Sequence, residues 1–147
     1  NELRCRMPTI EQWFARYGES HQSPVNKALH WVCVLAITWS VIAFAWWVSP
    51  YAALALCALA LAFYAYHSLP IALGMLGVVA LMVAPLAHLR GNVMMVAAVV
   101  FVVAWIGQFA GHRIEGRKPS FFDDLKFLLI GPAWLLGSVY RRLHIRY

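Results

Sequence analysis

The chain has 147 residues, of which 63% are hydrophobic and 12% charged, against roughly 45–50% apolar and about 25% charged in ordinary soluble domains. That balance excludes a water-solvated globule and makes the bilayer the solvent around a single domain. The net charge is +6, but Lys and Arg gather at the two ends and in one late loop, a pattern of membrane topology and attraction to anionic lipid and not of a nucleic-acid surface.

Residues 8–17 (PTIEQWFARY) predict a short amphipathic helix on the membrane surface. Ile10, Trp13, Phe14 and Tyr17 recur at helical spacing, with Glu11, Gln12 and Arg16 opposite. Thr9 reads as its N-cap and Gly18 as its stop. Residues 19–24 (ESHQSP) form a turn, because Ser23-Pro24 breaks any helix there. His21 is therefore expected on a loop. Nothing between residues 1 and 27 has the apolar core of a cleavable signal peptide.

Transmembrane spans are expected at 26–48, ended by Ser49-Pro50; at 51–69, ended by Pro70; at 71–87; and at 91–111. Gly74, Gly77, Gly91 and Gly107 are small residues of the kind that let membrane helices approach closely. Residues 121–140 are the ambiguous piece. Their apolar stretch is too short to span and is cut by Gly131-Pro132, and a further span would carry Arg141, Arg142 and Arg146 across. It reads as a re-entrant or interfacial helical hairpin. The expected fold is thus all-α and polytopic: four transmembrane helices, an N-terminal interfacial helix and a C-terminal hairpin. With four spans the charged clusters fall on one side, which makes both termini cytoplasmic.

Two polar clusters bracket the apolar core. Between residues 28 and 89 there is no Asp, Glu, Lys or Arg. Before the core stands His21-x4-Asn26-x3-His30, and after it Gln108-x3-His112-x2-Glu115. On helices, Asn26 and His30 share one face, as do Gln108, His112 and Glu115. An even number of spans brings both clusters to one face of the bilayer, where three histidines and a carboxylate suit a redox metal. Neutral imidazoles, a carboxylate and open positions for oxygen and substrate fit non-haem Fe(II), with Asn26 and Gln108 orienting the ligands. His67, at the end of the second span, is a candidate fourth ligand; His88 and His144 look peripheral. The cysteines Cys5, Cys33 and Cys57 match no zinc pattern and read as small hydrophobes.

Spacing does not name the metal. HExxH is absent, which argues against a zinc protease, and there are too few histidines for the boxes of membrane desaturases. A bis-histidine haem between the first and fourth spans, as in an electron carrier, stays open. So does a non-catalytic lipid-binding scaffold, in which the histidines are interfacial amphipaths and Glu115 pairs with Arg113, Arg117 or Lys118.

The pattern Tyr17-Gly18-x2-His21-x4-Asn26-x3-His30, followed by Trp105-Ile106-x-Gln108-Phe109-x-Gly111-His112-x2-Glu115-Gly116-Arg117-x-Pro119, resembles one family. It is similar to the small membrane proteins related to the fungal 2-hydroxy fatty acid dioxygenase of phytosphingosine breakdown. The resemblance runs from Ile10 to about Leu136, and the middle spans share only hydrophobicity. It implies an Fe(II)-dependent dioxygenase that uses O2 to convert a 2-hydroxy fatty acid into the acid one carbon shorter. It also implies His21, His30 and His112 as iron ligands, Glu115 as a fourth ligand or nearby base, and Asn26 and Gln108 in support. Lys27, Arg113 or Arg117 would then neutralise the substrate carboxylate. Fungal members belong to the endoplasmic reticulum; the composition suits a bacterial inner membrane equally.

Overall fold

The computed structural model describes residues 9–19, 24–116 and 129–147; within these, the side chains of residues 16–19, 90 and 115 are not described. The described residues are mostly helical, with no strand among them: α1 (Ile10–Glu19), α2 (Pro24–Val48), α3 (Pro50–His67), α4 (Leu69–Val83), a short α5 (Leu86–Leu89), one 3-10 turn (Arg90–Asn92), α6 (Val93–Glu115) and α7 (Ile130–Arg142). Four stretches are long and apolar enough to cross a membrane: Pro24–Val48, Pro50–His67, Leu69–Leu89 and Val93–Ile114.

Two serine corners reverse the chain. Ser49 is extended, its side chain accepts the Tyr51 N–H, and Pro50 opens α3. Ser68 repeats the device: it accepts the Ile71 N–H, and Pro70 lies in the first turn of α4. Proline fits there because the first helical N–H groups have no intrahelical acceptor. Each corner uses one residue, so consecutive helices run back along each other, and α6 returns along α2. The start of α2, the end of α3, the start of α4 and the end of α6 therefore share one end of the bundle.

Proline also shapes two other points of the fold. The third span, Leu69–Leu89, contains the expected 71–87 and is interrupted near its end: α4 stops at Val83, and α5 resumes at Leu86, because Pro85 cannot donate the bond that would continue the helix. Gly131-Pro132 stands in the first turn of a helix, with Pro132 at the third position of α7. The rest of the expected hairpin lies outside the described residues.

At the far end, Ile42, Ala43, Ala53, Cys57, Leu86, Val93 and Ala97 close one core. At the near end, a second core joins Ile10 and Phe14 of α1, Tyr64 of α3, Ile71 and Met75 of α4, and Ile130 and Trp134 of α7. The N-cap of α1 is a reciprocal capping box, with the Gln12 N–H donating to Thr9 Oγ1 at 3.3 Å and the Thr9 N–H to Gln12 Oε1 at 2.9 Å. The helix passes Gly18 and ends at Glu19. Its apolar side meets α7, where Phe14 packs so closely on Gly137 that a β-carbon there would lie 2.8 Å from the ring. Two hydroxyls moor α7: Tyr64 donates to the Leu129 carbonyl at 2.5 Å, and Tyr140 to the Pro70 carbonyl at 2.8 Å.

Candidate functional site

The α2–α6 pair is the most extensive contact in the bundle, and small residues permit it. A β-carbon on Gly107 would lie 2.5 Å from Cys33 Sγ, and one on Gly111 would collide with Asn26 Oδ1 and stand 3.5 Å from His30 Cε1. Gly107-x3-Gly111 is thus a close-approach stripe of the membrane kind. Below it, Cys33, Ile37, Ala104 and Trp105 form an apolar plug.

Above the plug the interface turns polar while staying buried. Asn26 and His30 of α2 and Gln108 and His112 of α6 are each at most 5% exposed. The His30 and His112 rings meet edge to face, with centroids 5.3 Å apart and planes at 86°. His30 Nδ1 lies 3.0 Å from the Asn26 carbonyl. A carbonyl only accepts, so Nδ1 carries the proton and donates it, and in the neutral ring Nε2 presents a lone pair. Metal-binding histidines are commonly held this way, with the second N–H on a backbone carbonyl. The Gln108 Oε1 atom is buried and has no hydrogen-bond partner among the described residues.

Centroids 5.3 Å apart lie within the ordinary range of edge-to-face ring packing, and neutral imidazole nitrogens are also donors of the kind that hold a transition metal.

The remaining candidates divide. Lys27 and Arg113 are exposed at the rim of the pair. Glu115 closes α6, one turn after His112, and Gly116 ends the helix in the left-handed region at φ 71°, which favours glycine. The Glu115 side chain, His21 and Arg117 lie outside the described residues. His67 has the His30 arrangement in miniature: Nδ1 donates to the Phe63 carbonyl at 2.9 Å, and Nε2 is buried with no partner among the described residues. It does not join the pair, and no group of three metal-ligating side chains occurs among the described residues. Gly111 is the residue whose role sequence reasoning missed, although its spacing from Gly107 was the available signal.

The family described as 2-hydroxy-palmitic acid dioxygenase Mpo1-like matches residues 7–143. The chain belongs to this family. The match covers both polar clusters and every helix described here, so the Mpo1-like character extends to the whole bundle and not to one motif. Neither a curated protein nor a solved structure matches this Mpo1-like chain.

Proposed function

We propose that this chain is an Fe(II)-dependent dioxygenase of the bilayer that takes a 2-hydroxy fatty acid and O2 and releases the fatty acid one carbon shorter. Family membership supports the substrate class. The observation that carries the reading is the buried His30–His112 contact, with the His30 proton fixed on Nδ1 by the Asn26 carbonyl. Ionisable side chains are costly inside a membrane domain, and a buried pair of imidazoles facing each other there points to use.

In this reading His21, His30 and His112 hold the iron, and Glu115 is a fourth ligand or the adjacent base. Iron, when bound, supplies a Lewis-acidic redox centre with positions for O2 and for an α-hydroxy carboxylate. The chain's own residues do the rest. Asn26 keeps one imidazole in its ligating tautomer, and Gln108 lines the floor beside His112. The Gly107–Gly111 stripe seals the helices and keeps water from the pair. Lys27, Arg113 and Arg117 neutralise the carboxylate at the rim.

The helices α1 and α7 are read as interfacial, with α7 re-entrant: its start at Leu129 meets Tyr64 and its end meets Pro70. Lys27, Arg113, Arg141, Arg142 and Arg146 mark the histidine end, against Arg90 at the other, a bias that supports a cytoplasmic side for both termini, in a bacterial inner membrane or in the endoplasmic reticulum.

Detergent-purified protein given 2-hydroxypalmitic acid, O2 and Fe(II) should yield pentadecanoic acid, read by mass spectrometry, and a chelator should abolish it. Protein that binds iron yet makes no shorter acid would remove this substrate from the reading.

A further inference from the structure

A second feature lies on the other flank of α2. An apolar cavity of about 220 Å³ opens between α2, α3 and α4, with Leu129 at its edge. Thr38 and Ile42 of α2, Leu56 and Ala60 of α3, and Met82 of α4 are among its walls. On a helix surface, residues four apart form one inclined row. The row that starts at Asn26 and His30 continues through buried Val34 to Thr38 and Ile42. His30 and the cavity's α2 wall therefore stand on one inclined row of the helix, with Thr38 about two turns beyond the histidine. Thr38 Oγ1 is committed to the Val34 carbonyl at 2.8 Å, so the cavity's α2 wall is apolar there. From His30 to Ile42 the row covers about 18 Å along the axis, at ~1.5 Å per residue, the scale of a long acyl chain.

We propose that this cavity takes the tail of the fatty acid whose head lies at His30 and His112, and that Ala60 and Leu56 set the preferred chain length. The proposal rests on the oxygenase reading for the position of the head. A cavity of roughly 150 Å³ takes one benzene, so the 220 Å³ here suits the distal part of one chain and not the two tails of a bilayer phospholipid. Ala60 stands midway along the cavity's α3 wall, where a larger side chain shortens the space; truncating Leu56 lengthens it.

The test is equilibrium binding to the detergent-purified full chain, read by displacement of cis-parinaric acid, with 2-hydroxydecanoic, 2-hydroxypalmitic and 2-hydroxystearic acids as competitors. Ala60→Phe should weaken the palmitic acid by about tenfold or more and leave the decanoic acid within about twofold. Leu56→Ala should shift the preference toward the stearic acid. If Ala60→Phe fails to fold by circular dichroism, the Leu56→Ala shift decides alone, and its absence overturns the proposal. Equal loss for all acids, no change in either variant, or displacement by dioleoyl phosphatidylcholine as strong as by free acid would each overturn it, the last assigning the cavity to bilayer lipid. Binding needs neither iron nor turnover, so chain-length selection without any shortened product keeps the cavity and removes the oxygenase. Product formation with an unchanged length profile in both variants does the reverse.

Discussion

At the scale of single residues, the histidines and the glycines make opposite demands. His30 and His112 sit where a membrane protein tolerates imidazoles only with partners, and the Asn26 carbonyl has already chosen the proton's place on His30. Replacing either by Ala should abolish iron retained after Fe(II) loading and desalting, measured by elemental analysis, while helicity by circular dichroism stays unchanged. Iron kept by the His30→Ala/His112→Ala double variant would put the metal elsewhere. Gly111→Ala forces a methyl into Asn26 Oδ1 and should destabilise by about 1–3 kcal/mol. Gly77 is the control: a β-carbon there meets nothing, so Gly77→Ala should leave the midpoint of denaturation unchanged or raise stability by up to about 1 kcal/mol. Equal losses at the two positions would deny the close α2–α6 contact. The spacing of the two clusters made the meeting of Asn26, His30, Gln108 and His112 legible, because helical periodicity and an even span count are properties of sequence. Gly111 was not legible in its role, because a glycine shows what it admits only once the partner helix is in place.

Among elements, what the sequence announced is what local chemistry decides. Ser49-Pro50 and Ser68 with Pro70 encode their corners outright, since a serine oxygen caps the N–H groups that proline helps leave open. Gly131-Pro132 is less decisive, because the same dipeptide can end one helix or begin another, and here it stands in the first turn of α7. The outcome depends on Ile130 finding the Tyr64–Met75 core and on Leu129 accepting a hydroxyl, and neither contact is visible locally. The docking of α7 is accordingly testable through its two moorings. Tyr140→Phe and Tyr64→Phe each remove one hydroxyl donor and should each lower stability by about 0.5–1.5 kcal/mol. The bonds lie at opposite ends of α7, so the double variant should show the sum if the two ends are independent, as distant sites usually add within about 0.3–0.5 kcal/mol. A double variant no worse than either single would mean that losing one mooring already undocks the helix.

For the whole molecule, the decisive property is which face of the membrane carries the histidine pair. The bundle itself is indifferent: its cores, corners and glycine contacts would be the same in either orientation. Only the charges break the symmetry. Lys27 and Arg113 flank the pair, and Arg141, Arg142 and Arg146 follow α7 at the same end, whereas the turn before α6 carries Arg90 alone. Cations near span ends are retained on the cytoplasmic side, and the same cations attract the anionic lipids of that leaflet and a free carboxylate arriving from it. Alkaline phosphatase fused after Tyr147 in a bacterial inner membrane should therefore be inactive, and fused within the 3-10 turn at Gly91 it should be active, with a green fluorescent protein giving the mirror pattern. The reverse result would turn the histidine pair toward the outside and separate it from any cytoplasmic supply of Fe(II) and fatty acid. Moving the charge bias offers the stricter check. Neutralising Arg141, Arg142 and Arg146 together while adding lysines beside Arg90 should raise the fraction of inverted protein, and iron retained by the upright fraction alone would tie the orientation to the site.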